Sequence, residues 1–134
     1  MTFKTLLLIK AVVCLSFGIL LLFFPGFLLG VLGASLVAPG LFLGREYGAN
    51  MIGTMTLMWL ARDLGETRAR RPILLYLLVY DAIGLVVTTI NTMSGVLNVL
   101  GWGIVAVYLF ITLGSGYLLL QSPKTSPAQA QMAS

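Results

Sequence analysis

Two side chains in this sequence carry charge inside long apolar runs. Lys10 is the eighth residue of a run that begins at Phe3, and Asp81 is the tenth of one that begins at Pro72. Charge at membrane depth is costly, and where it occurs it marks ion or substrate handling, a proton relay or a fixed ion pair. With both runs entering from one face and rising about 1.5 Å per residue, the two lie within roughly one turn of the same depth. Lys10 and Asp81 are therefore expected to pair, or to share water between helices. Such a pair can carry protons or ions, or it can simply specify which helix faces which. The alternatives are a Lys10 that snorkels to the near interface and a protonated Asp81 that acts as a plain hydrogen-bond donor.

Other polar residues recur at helical spacing. Asp81, Gly84, Thr88 and Asn91 are three or four apart and share a face. The first run offers Lys10 and Cys14, the second Asn50 and Thr54, and the fourth Tyr108, Thr112 and Ser115. Asn50, Thr54, Thr88, Asn91 and Thr112 are the expected polar seam, with Thr54 and Thr112 near the depth of Asp81. Such a seam supplies interhelical hydrogen bonds, worth about 0.6 kcal/mol each, or it lines a polar cavity or proton path. Gly40, Gly44 and Gly48, with Ala49 and Gly53 nearby, let one helix approach another closely. The spacing does not choose between a contact within the chain and a homodimer face. Arg45 and Glu46 form an outer-end pair that neutralises itself, binds loop carbonyls or meets a lipid headgroup.

Several chemistries lack their residues. There is no histidine, and Cys14 is the single cysteine. An intrachain disulfide is impossible, and zinc, haem and iron–sulfur centres lose their usual ligands. A Ser-His-Asp triad is ruled out as well. We expect no catalytic residues, no metal and no cofactor. The net charge is +4, but no basic face with interleaved aromatics accompanies it, so nucleic acid is not an expected partner.

The elements that must position these residues follow from composition. The chain has 134 residues, 59% of them hydrophobic and 9% charged, whereas about 25% is charged in a soluble domain. So much apolar surface cannot be hidden in one small core. A transmembrane helix needs about 20 apolar residues. Four such runs predict helices over about 3–24, 40–62, 72–92 and 98–120, forming one membrane domain over 1–121. The fold class expected is an all-α, up-and-down bundle of four transmembrane helices. Pro25, Pro39 and Pro72 stand at run edges, where proline is tolerated. Residues 26–38 are apolar and glycine-rich and read as an interfacial segment or a shallow re-entrant turn. One rival reading extends the first span to Val31. Another makes the first run a cleaved leader, but Lys10 interrupts it and no small-x-small site follows. The polar tail, residues 122–134, is expected to be disordered.

Four spans put the N-terminus, the middle loop and the C-terminus on one side. That side gathers Lys4, Arg62, Arg68, Arg70, Arg71 and Lys124, against Arg45 on the other. The positive-inside rule then places both termini in the cytoplasm. The basic loop attracts anionic headgroups at about 1 kcal/mol per basic residue.

The stretch Gly44-Arg45-Glu46-Tyr47-Gly48-Ala49, continuing to Trp59-Leu60-Ala61-Arg62-Asp63, resembles sequences of small uncharacterised bacterial four-helix integral membrane proteins. Arg70-Arg71 and Leu97-Asn98-Val99-Leu100-Gly101-Trp102 are similar to that group too. The resemblance covers most of residues 4–120. It implies the fold and a bacterial cytoplasmic membrane, and it brings no activity. Small multidrug-resistance transporters fit less well, since they use a glutamate in the first helix where this chain has Lys10. Vitamin K epoxide reductase-like proteins and mercury transporters need paired cysteines. Eicosanoid-family glutathione enzymes have a richer arginine and glutamate pattern. The functional expectation is a structural or accessory component of a membrane complex, partnered by the bilayer and by other subunits or a second copy. A small ion- or proton-coupled transporter or channel using Asp81 and Lys10 is the alternative.

Overall fold

A computed structural model describes residues 1–65 and 68–121. The predicted tail, residues 122–134, lies outside the described residues, as do Glu66 and Thr67 of the basic loop. The described chain is helical throughout: α1 is Phe3–Phe23, α2 Pro25–Val31, α3 Ala38–Ala61, α4 Arg70–Met93 and α5 Gly101–Gln121. Three of them, α1, α4 and α5, are long and apolar enough to cross a membrane. The fourth long helix, α3, has 24 residues and carries Arg45, Glu46 and Asn50 along its length.

The helix ends are set locally. Thr2 caps α1, its hydroxyl accepting from the Thr5 amide at 3.2 Å. Pro25 stops α1, because the residue before a proline is pushed out of the helical region, and Phe24 has left it with ψ near 54°. The same proline then opens α2, where its missing N–H costs nothing. Residues 26–38, read from the sequence as an interfacial segment or re-entrant turn, thus hold a seven-residue helix and an irregular return. That return needs Gly33, which has φ +85° and whose added Cβ would sit 3.1 Å from the Asn98 side chain. Asn98 holds the place from the α4–α5 loop. Its amide donates to the Leu32 carbonyl at 2.8 Å, and its side chain donates to the Val31 carbonyl at 2.9 Å.

Packing proceeds in two antiparallel pairs. Helix α1 lies along α3, and α4 along α5, while α1 and α5 join the pairs by a lighter contact. Among the described residues, α3 and α4 make no close backbone approach, although they are consecutive long helices. The order across the bundle is therefore α3, α1, α5, α4. Glycines set both tight contacts. A Cβ on Gly48 would fall 2.6 Å from the Leu22 amide nitrogen and 2.9 Å from the Gly18 carbonyl. Gly44 and Gly40 instead meet side chains, those of Pro25 and Leu36. The Gly40–Gly44–Gly48 stripe thus serves contacts within the chain. In the second pair, Gly84 makes room for the Tyr108 ring and Gly101 for Thr92.

Two apolar clusters fill the interior. Near the chain termini, Leu6, Leu7, Met58, Leu74, Leu77 and Ile111 draw on all four long helices. Toward the opposite end, Cys14, Leu21, Leu28, Leu32 and Met51 come from α1, α2, α3 and the return after α2. The bundle is therefore closed around all four long helices at one end only. At that end Lys4 pairs with Asp63 at 2.7 Å, and its ammonium holds the exposed Asp63 carboxyl below the usual carboxylate range. Arg62 stacks over Trp59, and Arg70 stacks over Phe3 while donating to the Leu64 carbonyl.

Two substitutions separate backbone approach from mere glycine content. Gly48→Leu should disrupt the α1–α3 contact and cost several kcal/mol, since overpacking by one or two methylenes alone costs about 1–3 kcal/mol. Gly53→Ala, whose Cβ would meet nothing within 4 Å, should be neutral or stabilising by up to about 1 kcal/mol. Unfolding of the purified protein in mixed detergent micelles reads both.

Candidate functional site

The site is assembled where the two helix pairs face one another. Asp81 Oδ1 accepts from Lys10 Nζ at 2.5 Å. Lys10 is 2% exposed and Asp81 is fully buried, so the pair expected from the sequence is formed and is closed to solvent. It runs on the diagonal of the bundle, from α1 to α4, which have no close backbone contact. Only a long side chain reaches across, and lysine supplies one.

The register of α4 on α5 places the rest. Gly84 meets Tyr108, Gly101 meets Thr92, and Leu78 meets Gly116. These antiparallel pairings put Thr112 opposite Asp81. Both carry a buried oxygen with no hydrogen-bond partner, Oδ2 of Asp81 and Oγ1 of Thr112. An unpaired carboxylate oxygen and an unpaired hydroxyl, both buried, are an uncommon arrangement, since buried polar atoms nearly always find partners.

On the other side of the pair stands a group of tyrosines. Lys10 Nζ lies 4.7 Å from the centre of the Tyr80 ring and 5.8 Å from that of Tyr108. A cation at this distance from a ring face is attracted by its quadrupole. The Tyr47 hydroxyl, from α3, meets Tyr80 at 2.5 Å and Tyr108 at 3.1 Å. Tyr76 stacks on Tyr80, with ring centres 5.7 Å apart, and its hydroxyl meets Thr54 Oγ1 at 3.1 Å. Side chains, not backbones, thus span the gap between α3 and α4. The phenols also edge a cleft of about 410 Å³, whose remaining lining includes Gly84, Val87 and Thr88. Neither Lys10 nor Asp81 lines it.

The expected seam is brought together in part. Thr54, Thr88 and Thr112 face the interior or its cleft. Asn50 does not: it is exposed on α3, one turn from Thr54 but rotated away from the α1 contact. Asn91 is half-buried and spends its amide on the Val87 carbonyl of its own helix. Arg45 and Glu46 are both exposed and make no ion pair among the described residues. Consecutive positions on a helix point about 100° apart, so neighbours in sequence do not face each other. Tyr47 and Tyr80 were not legible as site residues. The available signal was Tyr76 and Tyr80 one turn apart, with Tyr80 adjacent to Asp81.

No protein-family model, curated protein or solved structure matches this chain. Its class, an all-helical protein with three membrane-compatible helices, rests on the fold itself.

If the pair is a structural clasp, removing one partner should cost far more than replacing both. Asp81→Asn should destabilise the protein by about 3–5 kcal/mol, because it strands a buried ammonium. The double variant Lys10→Met with Asp81→Leu should recover most of that loss. Thermal aggregation of detergent-solubilised variants gives the comparison.

Proposed function

We propose that this chain is a four-span protein of a bacterial cytoplasmic membrane with both termini inside, and that it serves as a non-catalytic accessory component of a membrane complex. The observation that carries the reading is the sealed Lys10–Asp81 pair. A transport pathway needs its ionisable groups to meet water on at least one side, and these two are 2% and 0% exposed. A pair closed on itself acts as a clasp between helix pairs. The four-span reading is supported by the length of α3, 24 residues or about 36 Å, and by its antiparallel course beside α1. The orientation is supported by the cluster of Lys4, Arg62, Arg70 and Arg71 at the end that also holds Met1.

A second reading has one observation in its favour. Asp81 Oδ2 and Thr112 Oγ1 lack partners, and Tyr80 and Tyr108 stand next to the pair. A chain of hydroxyls beside a carboxylate is a means of moving protons, which a small proton-coupled transporter would use.

Affinity purification of the full chain from its native membrane in mild detergent should recover a stoichiometric partner subunit. Recovery of the chain alone, together with a proton flux in liposomes that Asp81→Asn abolishes, would replace the accessory reading by the transport one.

A further inference from the structure

We propose that the cleft between α3, α4 and α5 binds a neutral, membrane-soluble molecule by a carbonyl oxygen. The cleft measures about 410 Å³, within the range of small-molecule sites, which are mostly apolar with a few polar groups that fix orientation. Its walls have that character. Ile83 and Val87 face outward, 60% and 51% exposed, so an apolar ligand enters from the hydrocarbon. Gly84 offers no side chain, so the Tyr108 ring packs directly against the α4 backbone at the wall of the cleft.

Proton counting at the polar end gives the ligand its chemistry. Tyr47, Tyr80 and Tyr108 bring three hydroxyl protons, and the two contacts among them use two. Among the described residues no other hydrogen bond engages these three hydroxyls, so one O–H remains to be donated. In an apolar setting a free donor is costly until it meets an acceptor. Charge then narrows the class. The Lys10 ammonium lies behind the Tyr80 and Tyr108 rings, where it opposes a second cation. Its own charge is already met by Asp81, so an anion gains no ion pair. A neutral acceptor oxygen on an apolar frame satisfies both conditions, and a ring ketone or an acyl ester presents one. The proposal is independent of the clasp reading and requires only that these helices lie in a membrane.

A photoreactive alkylbenzophenone, itself a neutral ketone, is the probe. The full chain is reconstituted in lipid nanodiscs, irradiated with the probe, and the labelled residues are mapped by mass spectrometry. Labelling should concentrate on Ile83, Val87 and Thr88. The triple variant Tyr47→Phe, Tyr80→Phe and Tyr108→Phe, which leaves no O–H to donate, should lower it by about fivefold, the weight of one hydrogen bond. Each single variant still leaves a free O–H and should retain it. Val87→Trp, at an exposed position that leaves the bundle core untouched, should abolish it by filling the cleft. Unchanged elution and helicity of the Val87→Trp protein keep that loss apart from misfolding. An unreactive ring ketone and a monoacylglycerol ester, added separately, identify which carbonyl source competes. Labelling spread evenly over lipid-facing residues, or equal competition by an alkane, would overturn the proposal.

Discussion

Burial of the Lys10 ammonium is the constraint on which the rest of the bundle depends. An ammonium 2% exposed beside the Tyr80 and Tyr108 rings cannot be left unpaired, since an isolated buried charge is too costly to keep. Its carboxylate must come from a helix within reach, and Asp81 on α4 is that group. This fixes the diagonal of the bundle and, with it, the order α3, α1, α5, α4. The apolar faces alone do not specify that order, since in lipid one Leu-rich face is as acceptable as another. The ion pair and the glycine contacts together remove the degeneracy.

The glycines and tyrosines act on opposite sides of this arrangement. Gly18 and Gly48 bring α1 against α3 until the backbones nearly touch, whereas between α4 and α5 Gly84 receives the Tyr108 ring and Gly101 the Thr92 side chain. Each pair is therefore closely packed. Between α3 and α4 no such approach exists, and phenol side chains occupy the space instead. A tyrosine suits that position because its ring fills apolar volume while its hydroxyl reaches a partner. Tyr47 and Tyr76 each find one across the gap. The result is a bundle closed near its termini and held open, at the other end, by stacked and hydroxyl-linked rings.

Much of this was legible in the sequence, and the parts that were not share a cause. The apolar runs predicted the long helices to within about three residues, because lipid requires a continuous apolar length. Lys10 and Asp81 stood out because charge at that depth is rare, and counting rise along the helices was enough to pair them. The clasp is therefore a sequence feature. Rotation about a helix axis is not, and the misses follow from it. Asn50 was placed in the seam by spacing from Thr54, but four residues on a helix turn through about 400°, and a 40° offset on the edge of a contact is enough to expose a side chain. Arg45 and Glu46 failed to pair for the same angular reason. The short helix α2 was hidden because residues 26–38 carry neither charge nor polar pattern, and only Gly33 and Asn98, distant in sequence, hold the return in place.

The sealed pair and the open cleft need not belong to different functions. The Tyr80 and Tyr108 rings belong to both: each stands within cation–π reach of the Lys10 ammonium, and each lines the cleft. A ring displaced by a ligand would also shift relative to the ammonium, so the cleft and the Lys10–Asp81 pair share two aromatic side chains. Gly84 permits the present position of the Tyr108 ring, because a Cβ there would lie 2.5 Å from it and displace it. Binding energy available at the cleft would then act on the one buried charge pair that fixes the bundle, and strain in that pair would in turn be felt at the cleft. Coupling of this kind needs no water-filled path to Asp81.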